Sequence, residues 1–142
     1  MEFYNFGPFR GLHKLNVDPK IGLENRPLTL VRANNDIGKS SILKAFNFCL
    51  YGFGSQFSSS SVTERARAIN RQAAFEKDGQ MYVKIKFRSD GDDFAIRRTI
   101  NFKKVKSFAE KPNIENYTCD ISKNENVLID HDTNPQGFWV EV

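Results

Sequence analysis

The sequence is poor in cysteine and contains no long apolar run, and each of these absences excludes a class of protein. Its 142 residues include only two cysteines, Cys49 and Cys119, so it has neither a disulfide framework nor a zinc-binding pattern. No apolar stretch approaches the roughly 20 residues of a membrane-spanning helix, and the first residues do not resemble a signal peptide. We therefore expect a cytoplasmic protein that makes no contact with a membrane.

Positive charge is only slightly in excess, and this excess excludes few classes of protein. The formal net charge is +4 and the isoelectric point is about 9.1, values that suit a polyanionic partner such as DNA but also occur in proteins that bind none. Thirteen phenylalanines supply bulk for a core, and a chain of this length suits one domain. The composition thus predicts a single globular domain and leaves the partner open.

The strongest chemical signal is the segment 33–41, which reads Ala-Asn-Asn-Asp-Ile-Gly-Lys-Ser-Ser. It matches the phosphate-binding P-loop in its permissive form, with Ala33 where the strict pattern has its first glycine. The spacing suits a triphosphate, which needs converging backbone N–H groups, a cation at the β and γ phosphates, and a hydroxyl for Mg²⁺. The motif therefore predicts a site for ATP and Mg²⁺.

Each residue type in this loop has a predicted role. Lys39 is the candidate catalytic residue, because its ammonium can neutralise the β and γ phosphates, and Ser40 is the candidate Mg²⁺ ligand. Asn35 could reach the γ phosphate, Ser41 would lie on the α-phosphate side, and Asp36 is electrostatically costly beside a triphosphate. The predicted nucleotide-binding set within the loop comprises Ala33, Asn34, Asn35, Asp36, Ile37, Gly38, Lys39, Ser40 and Ser41.

The segments on either side of the loop match the strand and the helix that a P-loop requires. Residues 28–31 are short and mostly apolar, which predicts a buried strand. After the loop, apolar residues recur at helical spacing, and Gly52 and Gly54 are typical of a helix end. The apolar stripe of this predicted helix consists of Ile42, Phe46, Cys49 and Phe53, widened by Leu43 and Leu50.

The rest of the chain is dominated by strand patterns. From Met81 the apolar period switches to two, which predicts a half-buried strand that turns at 89–93 and returns as an antiparallel partner over 94–102. A final helix capped by Asn134 has barely begun at Val142, so we expect residues 1–142 to be the N-terminal part of a longer protein. Other predicted elements are strands at 2–6, 12–17, 117–122 and 127–129, a loop at 18–27, a serine-rich connector at 54–61 and one short helix over 62–75.

Three stretches resemble the N-terminal part of a known ATPase head. The opening turn at 5–11, the helix ending in Leu-Tyr-Gly at 50–52, and Ala-Ile-Asn-Arg at 68–71 are, with the loop, similar to the ABC-type heads of SMC-like and RecF/RecN-like DNA-repair proteins. The likeness is greatest to Rad-type repair ATPases, the DndD ATPases of DNA-sulphur-dependent restriction and related phage-defence ATPases. The resemblance implies an α/β fold in which a P-loop core is wrapped by an antiparallel β-subdomain.

The resemblance also implies a function and a set of partners. ATP hydrolysis would close two copies of the head on each other and change their grip on DNA, in DNA repair or in phage defence, with a nuclease or another subunit as a further partner. By resemblance alone, Arg10 lies near the nucleotide. The sequence lacks the signature motif, an Asp-Glu pair after a long apolar strand, and a Q-loop glutamine. We therefore expect ATPase activity in the full-length protein and none in the isolated chain.

Two other functions fit parts of the pattern. A small P-loop kinase would need an arginine-bearing lid and a substrate pocket, which the strand-rich second half does not favour, and a non-catalytic nucleotide-binding module would tolerate Asp36. Weaker patterns are the Asp90, Asp92 and Asp93 turn, which we interpret as solvated, and the 127–130 segment, which imitates a Walker B strand. A basic set that could contact DNA comprises Arg97, Arg98, Lys103, Lys104 and Lys106, with Phe102 and Phe108.

Overall fold

The computed structural model describes residues 1–17, 20–21, 24–25, 28–32, 34, 38–53 and 62–132. The predicted connector at 54–61 and the predicted helix after Asn134 lie outside these described residues. The elements in chain order are β1 (Glu2–Phe6), β2 (Phe9–Lys14), β3 (Lys20–Ile21), β4 (Glu24–Asn25), α1 (Lys39–Tyr51), α2 (Val62–Arg67), α3 (Arg71–Glu76), β5 (Gly79–Ser89), β6 (Asp92–Lys103), β7 (Asn113–Lys123) and β8 (Asn126–Asp132).

A six-stranded antiparallel sheet in the order β2-β1-β5-β6-β7-β8 dominates the described part of the chain. Asp90 and Gly91 join β5 to β6, and Asn124 and Glu125 join β7 to β8; all four residues have a positive φ. Paired positive φ angles suit the right-handed twist of the strands that such turns connect. The structure confirms the strands predicted at 2–6, 94–102, 117–122 and 127–129, and three of the four are longer than predicted.

One face of this sheet is buried, and the period-two pattern of β5 shows which one. Met81, Val83 and Ile85 are buried, whereas the residues that alternate with them are exposed or partly exposed, as the sequence predicts. α1 packs across the buried face, against β5 and β6. Removal of this apolar surface from water is the main stabilising contribution to the fold. The core includes Phe3, Phe6, Ala45, Phe48, Cys49, Ile69, Ala74, Met81, Val83, Ile85, Ile96, Ile100, Phe102, Cys119 and Ile121.

The helix predicted after the loop is confirmed, but its buried face differs from the predicted stripe. α1 ends as expected, with the N–H of Gly52 donating to the Phe48 carbonyl. Ala45, Phe48 and Cys49 are fully buried, whereas Phe46 is 40% exposed. The predicted stripe is confirmed at Cys49, and at Leu50 and Phe53, which are partly buried and pack against the core. It is wrong at Leu43 and Phe46, because the sheet covers only a narrow strip of the helix and the apolar residues extend beyond it.

Residues 28–31 do not form the predicted strand. They have no regular secondary structure, and Leu28 and Leu30 are 84% and 85% exposed. Apolar character alone does not make a strand, since a strand needs a hydrogen-bonding neighbour, and none of the described strands pairs with this segment. The described residues thus supply the antiparallel part of the predicted α/β fold, and no parallel strand pair occurs among them.

Three further predictions are wrong at their boundaries. The second strand begins at residue 9 rather than 12, because the chain reverses in a tight two-residue turn. Residues 18–27, predicted as a loop, contain the short hairpin of β3 and β4. The single helix predicted over 62–75 is divided into α2 and α3, since Ile69 forms a bridge with Phe6 and Asn70 caps the start of α3. No helix of the described residues is long and apolar enough to cross a membrane.

Arg98 is a buried charge that ties β6 to the C-terminal end of α1. Its Nε donates to the Cys49 carbonyl at 2.7 Å, and its Nη2 donates to the Leu50 carbonyl at 3.2 Å. Nη1 donates to the Tyr117 hydroxyl at 2.9 Å. Helix C-terminal carbonyls lack partners and carry the negative end of the helix dipole, which favours a cation there. Arg98 and Phe102 are both buried, so the predicted DNA-contacting set is wrong for these two residues.

Tyr117 gives the folded protein an expected pH dependence at alkaline pH. Burial raises the pKa of its hydroxyl from 10.0 to about 12, and the neighbouring Arg98 offsets this only in part. The unfolded chain loses this proton near pH 10 while the folded chain keeps it, so stability falls as the pH rises from 10 to 12. Between pH 8 and pH 11, the free energy of unfolding in urea should fall by about 1.4 kcal/mol more for the wild type than for Tyr117→Phe. Equal losses in the two proteins would contradict this assignment.

Candidate nucleotide-binding site

The first turn of α1 presents backbone N–H groups at the end of the predicted loop. Gly38 is the N-cap residue, with a φ of 98° and a ψ of 19°, and no side chain caps the helix. The N–H groups of a first helical turn lack intrahelical partners and, with the helix dipole, favour an anion. No acidic residue occurs in this turn. The start of α1 is therefore suited to phosphate.

Lys39 lies at this helix start with its ammonium directed back toward the loop. Its Nζ donates a hydrogen bond of 2.6 Å to the Asn34 carbonyl, and its side chain is exposed. Ser40, the next residue, is also exposed. Both the ammonium and the hydroxyl that the motif requires are therefore accessible to a ligand at the start of α1.

Gly38 is also the point where the loop meets the turn between β1 and β2. A Cβ atom added at Gly38 would lie 2.8 Å from Cζ of Phe9 and 3.0 Å from Cγ of Pro8. Such distances leave no room for a side chain, and the φ of 98° disfavours one independently. Glycine at this position thus allows the turn to pack directly on the start of α1.

The turn between β1 and β2 is held in place by the segment that joins α2 to α3. The Gly7 N–H donates to the Ala68 carbonyl at 2.7 Å, and Nδ2 of Asn70 donates to the Gly7 carbonyl at 2.9 Å. Oδ1 of Asn70 accepts a hydrogen bond of 3.0 Å from the N–H of Ala73 and so caps α3. Asn70 is buried, and this one side chain fixes both the turn and the helix.

A cleft of about 680 Å³ lies between this turn, α1 and the segment that joins α2 to α3. Its charged lining consists of Lys44, Arg67 and Arg71, which are all exposed, and no described acidic residue lines it. Three cations without a carboxylate favour an anionic ligand. Ser41 also lines the cleft and belongs to the first turn of α1, so the cleft continues directly from the helix N-terminus.

The structure places five of the nine predicted loop residues at or near the start of α1. These are Asn34, Gly38, Lys39, Ser40 and Ser41. The predicted roles of the other four stay predictions, because these residues lie outside the described part of the chain. They are Ala33, Asn35, Asp36 and Ile37.

Arg10 lies on β2 and is not among the described residues that line the cleft. Its guanidinium pairs with Glu76 of α3, with Nη2 at 2.6 Å from Oε1 and at 2.7 Å from Oε2. The pKa of the Glu76 carboxyl lies below its usual value, first because Gln72 donates a hydrogen bond to it and then because of Arg10. The nucleotide-binding role that the resemblance implies for Arg10 stays a prediction.

Sequence reasoning alone did not find the cationic lining of the cleft. Lys44 looks like an ordinary surface residue of the helix, and Arg67 falls inside a segment that the sequence predicts as one continuous helix. Arg71 belongs to the 68–71 stretch that carries the family resemblance, and this was the one available signal. The three side chains come together only because the β1–β2 turn draws residues 67–72 toward α1.

Two weaker sequence patterns have ordinary structural roles. Arg88 donates to Asp93 at 2.8 and 3.1 Å, and Lys123 pairs with Asp92 at 2.7 Å, so the pKa of each carboxyl lies below its usual value. Among the described residues, no group of three or more His, Cys, Asp and Glu side chains could hold a metal ion. The segment that imitates a Walker B strand lies in β8, where Val127 is 64% exposed and therefore not in a core strand.

Comparison with known proteins shows the family of the chain but assigns no role to a particular residue. No curated protein matches the chain in sequence. A family model described as an AAA domain matches residues 1–136, a range that includes the loop, α1, the cleft and the six-stranded sheet. Because the match covers nearly the whole sequence, the chain belongs to the AAA domain family of P-loop ATPases.

Proposed function

We propose that the chain binds ATP together with Mg²⁺ at the start of α1 and that the full-length protein hydrolyses this ATP. The observation that carries the proposal is Lys39, whose ammonium lies beside an uncapped helix N-terminus within the P-loop sequence of an AAA domain. The adjoining cleft supports the same ligand, because its charged lining is cationic.

Each part of the site would make a separate contribution to binding. Lys39 would exchange its hydrogen bond with the Asn34 carbonyl for contacts with the β and γ phosphates. Backbone N–H groups at the start of α1 would meet phosphate oxygens, and the hydroxyl of Ser40 would bind Mg²⁺. Arg67 and Arg71 would attract the anionic nucleotide into the cleft beside the helix.

Turnover needs more than the groups described around the cleft. Bound ATP and Mg²⁺ supply the transferable phosphoryl group and part of the neutralising charge. Hydrolysis also needs a group that positions the attacking water, and catalysis of phosphoryl transfer depends mostly on such positioning. No described carboxylate lines the cleft to serve this purpose. We therefore expect rapid hydrolysis only from the full-length protein, where a second copy of the head could complete the site.

We further propose that the full-length protein couples ATP hydrolysis to DNA binding, in DNA repair or phage defence. The support is the resemblance of residues 5–11, 33–52 and 68–71 to SMC-like heads, together with a net charge of +4 that suits a polyanionic partner. An ATPase assay of the full-length protein with and without DNA tests this coupling. A rate that DNA leaves unchanged would favour a nucleotide-binding role independent of DNA.

Replacement of Lys39 by alanine tests nucleotide binding directly. The change removes a charge-assisted contact with the phosphates and should weaken ATP affinity by about 10- to 100-fold, or roughly 1.5–3 kcal/mol. Calorimetric titration of ATP and Mg²⁺ into the 142-residue chain measures the effect. Lys14→Ala is the matched control, because it removes an exposed ammonium that pairs with Glu2 away from the cleft. Equal affinities of the wild type and Lys39→Ala would refute the assignment.

A further inference from the structure

The face of the sheet opposite α1 carries a layer of flat side chains. Tyr4 of β1 and Tyr82 of β5 are paired in register, and their rings stack with centroids 5.5 Å apart and planes inclined by 16°. Arg97 of β6 lies over the Tyr82 ring, with its guanidinium carbon 4.1 Å from the ring centroid. Three neighbouring strands therefore contribute one continuous group, which we name the Tyr–Tyr–Arg stack (Tyr4, Tyr82 and Arg97).

The Tyr–Tyr–Arg stack is accessible and only partly engaged by the fold. All three side chains belong to partly exposed residues. Nη2 of Arg97 donates to Oε1 of Gln80 at 3.4 Å, whereas Nε of Arg97 is buried and has no hydrogen-bond partner. Asp120 of β7 is paired with Arg97 in register and places one carboxylate on the same face.

Positive charge lies next to the Tyr–Tyr–Arg stack along β5. Lys84 and Lys86 are on the same face of this strand as Tyr82, because side chains alternate between the two faces. The acidic residues at the start of β1 and at the β5–β6 turn are paired with other cations of this face. Successive side chains on one face of a strand are about 7 Å apart, a spacing close to that of neighbouring phosphates in an extended nucleic acid strand.

We propose that this face of the sheet binds single-stranded nucleic acid. Bases would stack on the tyrosine rings and against the guanidinium of Arg97, while Lys84 and Lys86 contact the phosphates. A layer of flat groups selects single strands, because the base faces of a duplex are covered by its own stacking. The sheet separates this face from α1, so the proposal does not depend on ATP binding at the other side.

Fluorescence anisotropy of a labelled 15-nucleotide oligo-dT tests the proposal with the 142-residue chain at low salt. Tyr82→Ala should weaken binding by about tenfold, the usual result of the loss of one stacking contact. Tyr82→Phe keeps the ring and should bind as the wild type does. Tyr51→Ala is the matched control, because Tyr51 is equally aromatic and 50% exposed but lies on α1. Far-UV circular dichroism verifies that each variant is folded.

A second pair of variants distinguishes the loss of a local contact with the nucleic acid from the loss of one unit of net charge on the protein. Lys84→Gln and Lys77→Gln remove the same charge, but Lys77 is the exposed C-cap residue of α3 and lies outside the Tyr–Tyr–Arg stack. Lys84→Gln should reduce the slope of log affinity against log salt by about 0.7, and Lys77→Gln should leave it unchanged. Unchanged binding by folded Tyr82→Ala would overturn the proposal. Equal effects of the two lysine variants, or tighter binding of a duplex of the same length, would also overturn it.

Discussion

Phe48→Ala should lower the free energy of unfolding by about 3–5 kcal/mol, because it empties the space between α1 and the sheet. Phe48 is 0% exposed. Its ring lies 5.9 Å from that of Phe6, 5.0 Å from that of Phe53 and 6.0 Å from that of Tyr117, measured between centroids. These neighbours are held by different elements and cannot all move into the cavity. Urea denaturation followed by circular dichroism gives the value.

Phe46→Ala is the matched control for this measurement. It removes the same ring from the same helix, two residues away, but from a position that is 40% exposed. We expect it to cost less than about 1 kcal/mol, as surface positions usually do. A loss at Phe46 that equals or exceeds the loss at Phe48 would show that α1 presents a different face to the sheet.

Arg98→Ala should lower the free energy of unfolding by about 3–4 kcal/mol. The change leaves the carbonyls of Cys49 and Leu50 and the hydroxyl of Tyr117 without their donor, the first of them buried and the other two partly buried. It also removes the cation from the negative end of the α1 dipole. The loss should appear as a lower urea midpoint with an unchanged slope, since the amount of surface exposed on unfolding stays nearly the same.

Arg97→Ala provides the comparison for Arg98. Arg97 is the preceding residue on β6, carries the same charge and points to the opposite, partly exposed face. We expect a cost of about 1 kcal/mol or less, from the lost contact with the Tyr82 ring. If the two arginine variants were equally stable, the hydrogen bonds to the end of α1 would contribute nothing measurable to the fold.

The parts of the fold that the sequence predicts correctly are those with a local pattern. Met81, Val83 and Ile85 alternate with polar residues, and Asp90-Gly91 is a strong turn signal, so the β5–β6 hairpin was predictable. The start of β7 was not, because residues 113–116 are mostly polar and are extended only through their pairing with β6. The full set of buried residues on α1 was also not predictable from the sequence, because it depends on the side of the helix against which the sheet packs.

The candidate site likewise has one part that the sequence predicts and one part that it does not. The loop and Lys39 were predictable because a contiguous motif carries them. The cleft was not, because its lining comes from the β1–β2 turn, from α1 and from residues 67–72, which no sequence pattern connects. The hydrogen bonds of Gly7 and Asn70 that join these segments are long-range contacts. The periodicity of apolar residues along the sequence does not predict such contacts.

The position of β1 between β2 and β5 in the sheet sets an order for folding. The strands β5 to β8 follow one another along the chain and can associate as each is completed, whereas Glu2 of β1 must wait for Lys84 of β5. The chain between β1 and β5 forms a long loop, and its closure lowers the entropy of the chain before the contacts between the two strands can stabilise the fold. The intervening chain contains α1, so the step that inserts β1 also encloses this helix. During synthesis, the nucleotide site should therefore form only after the ribosome has released the residues of β5.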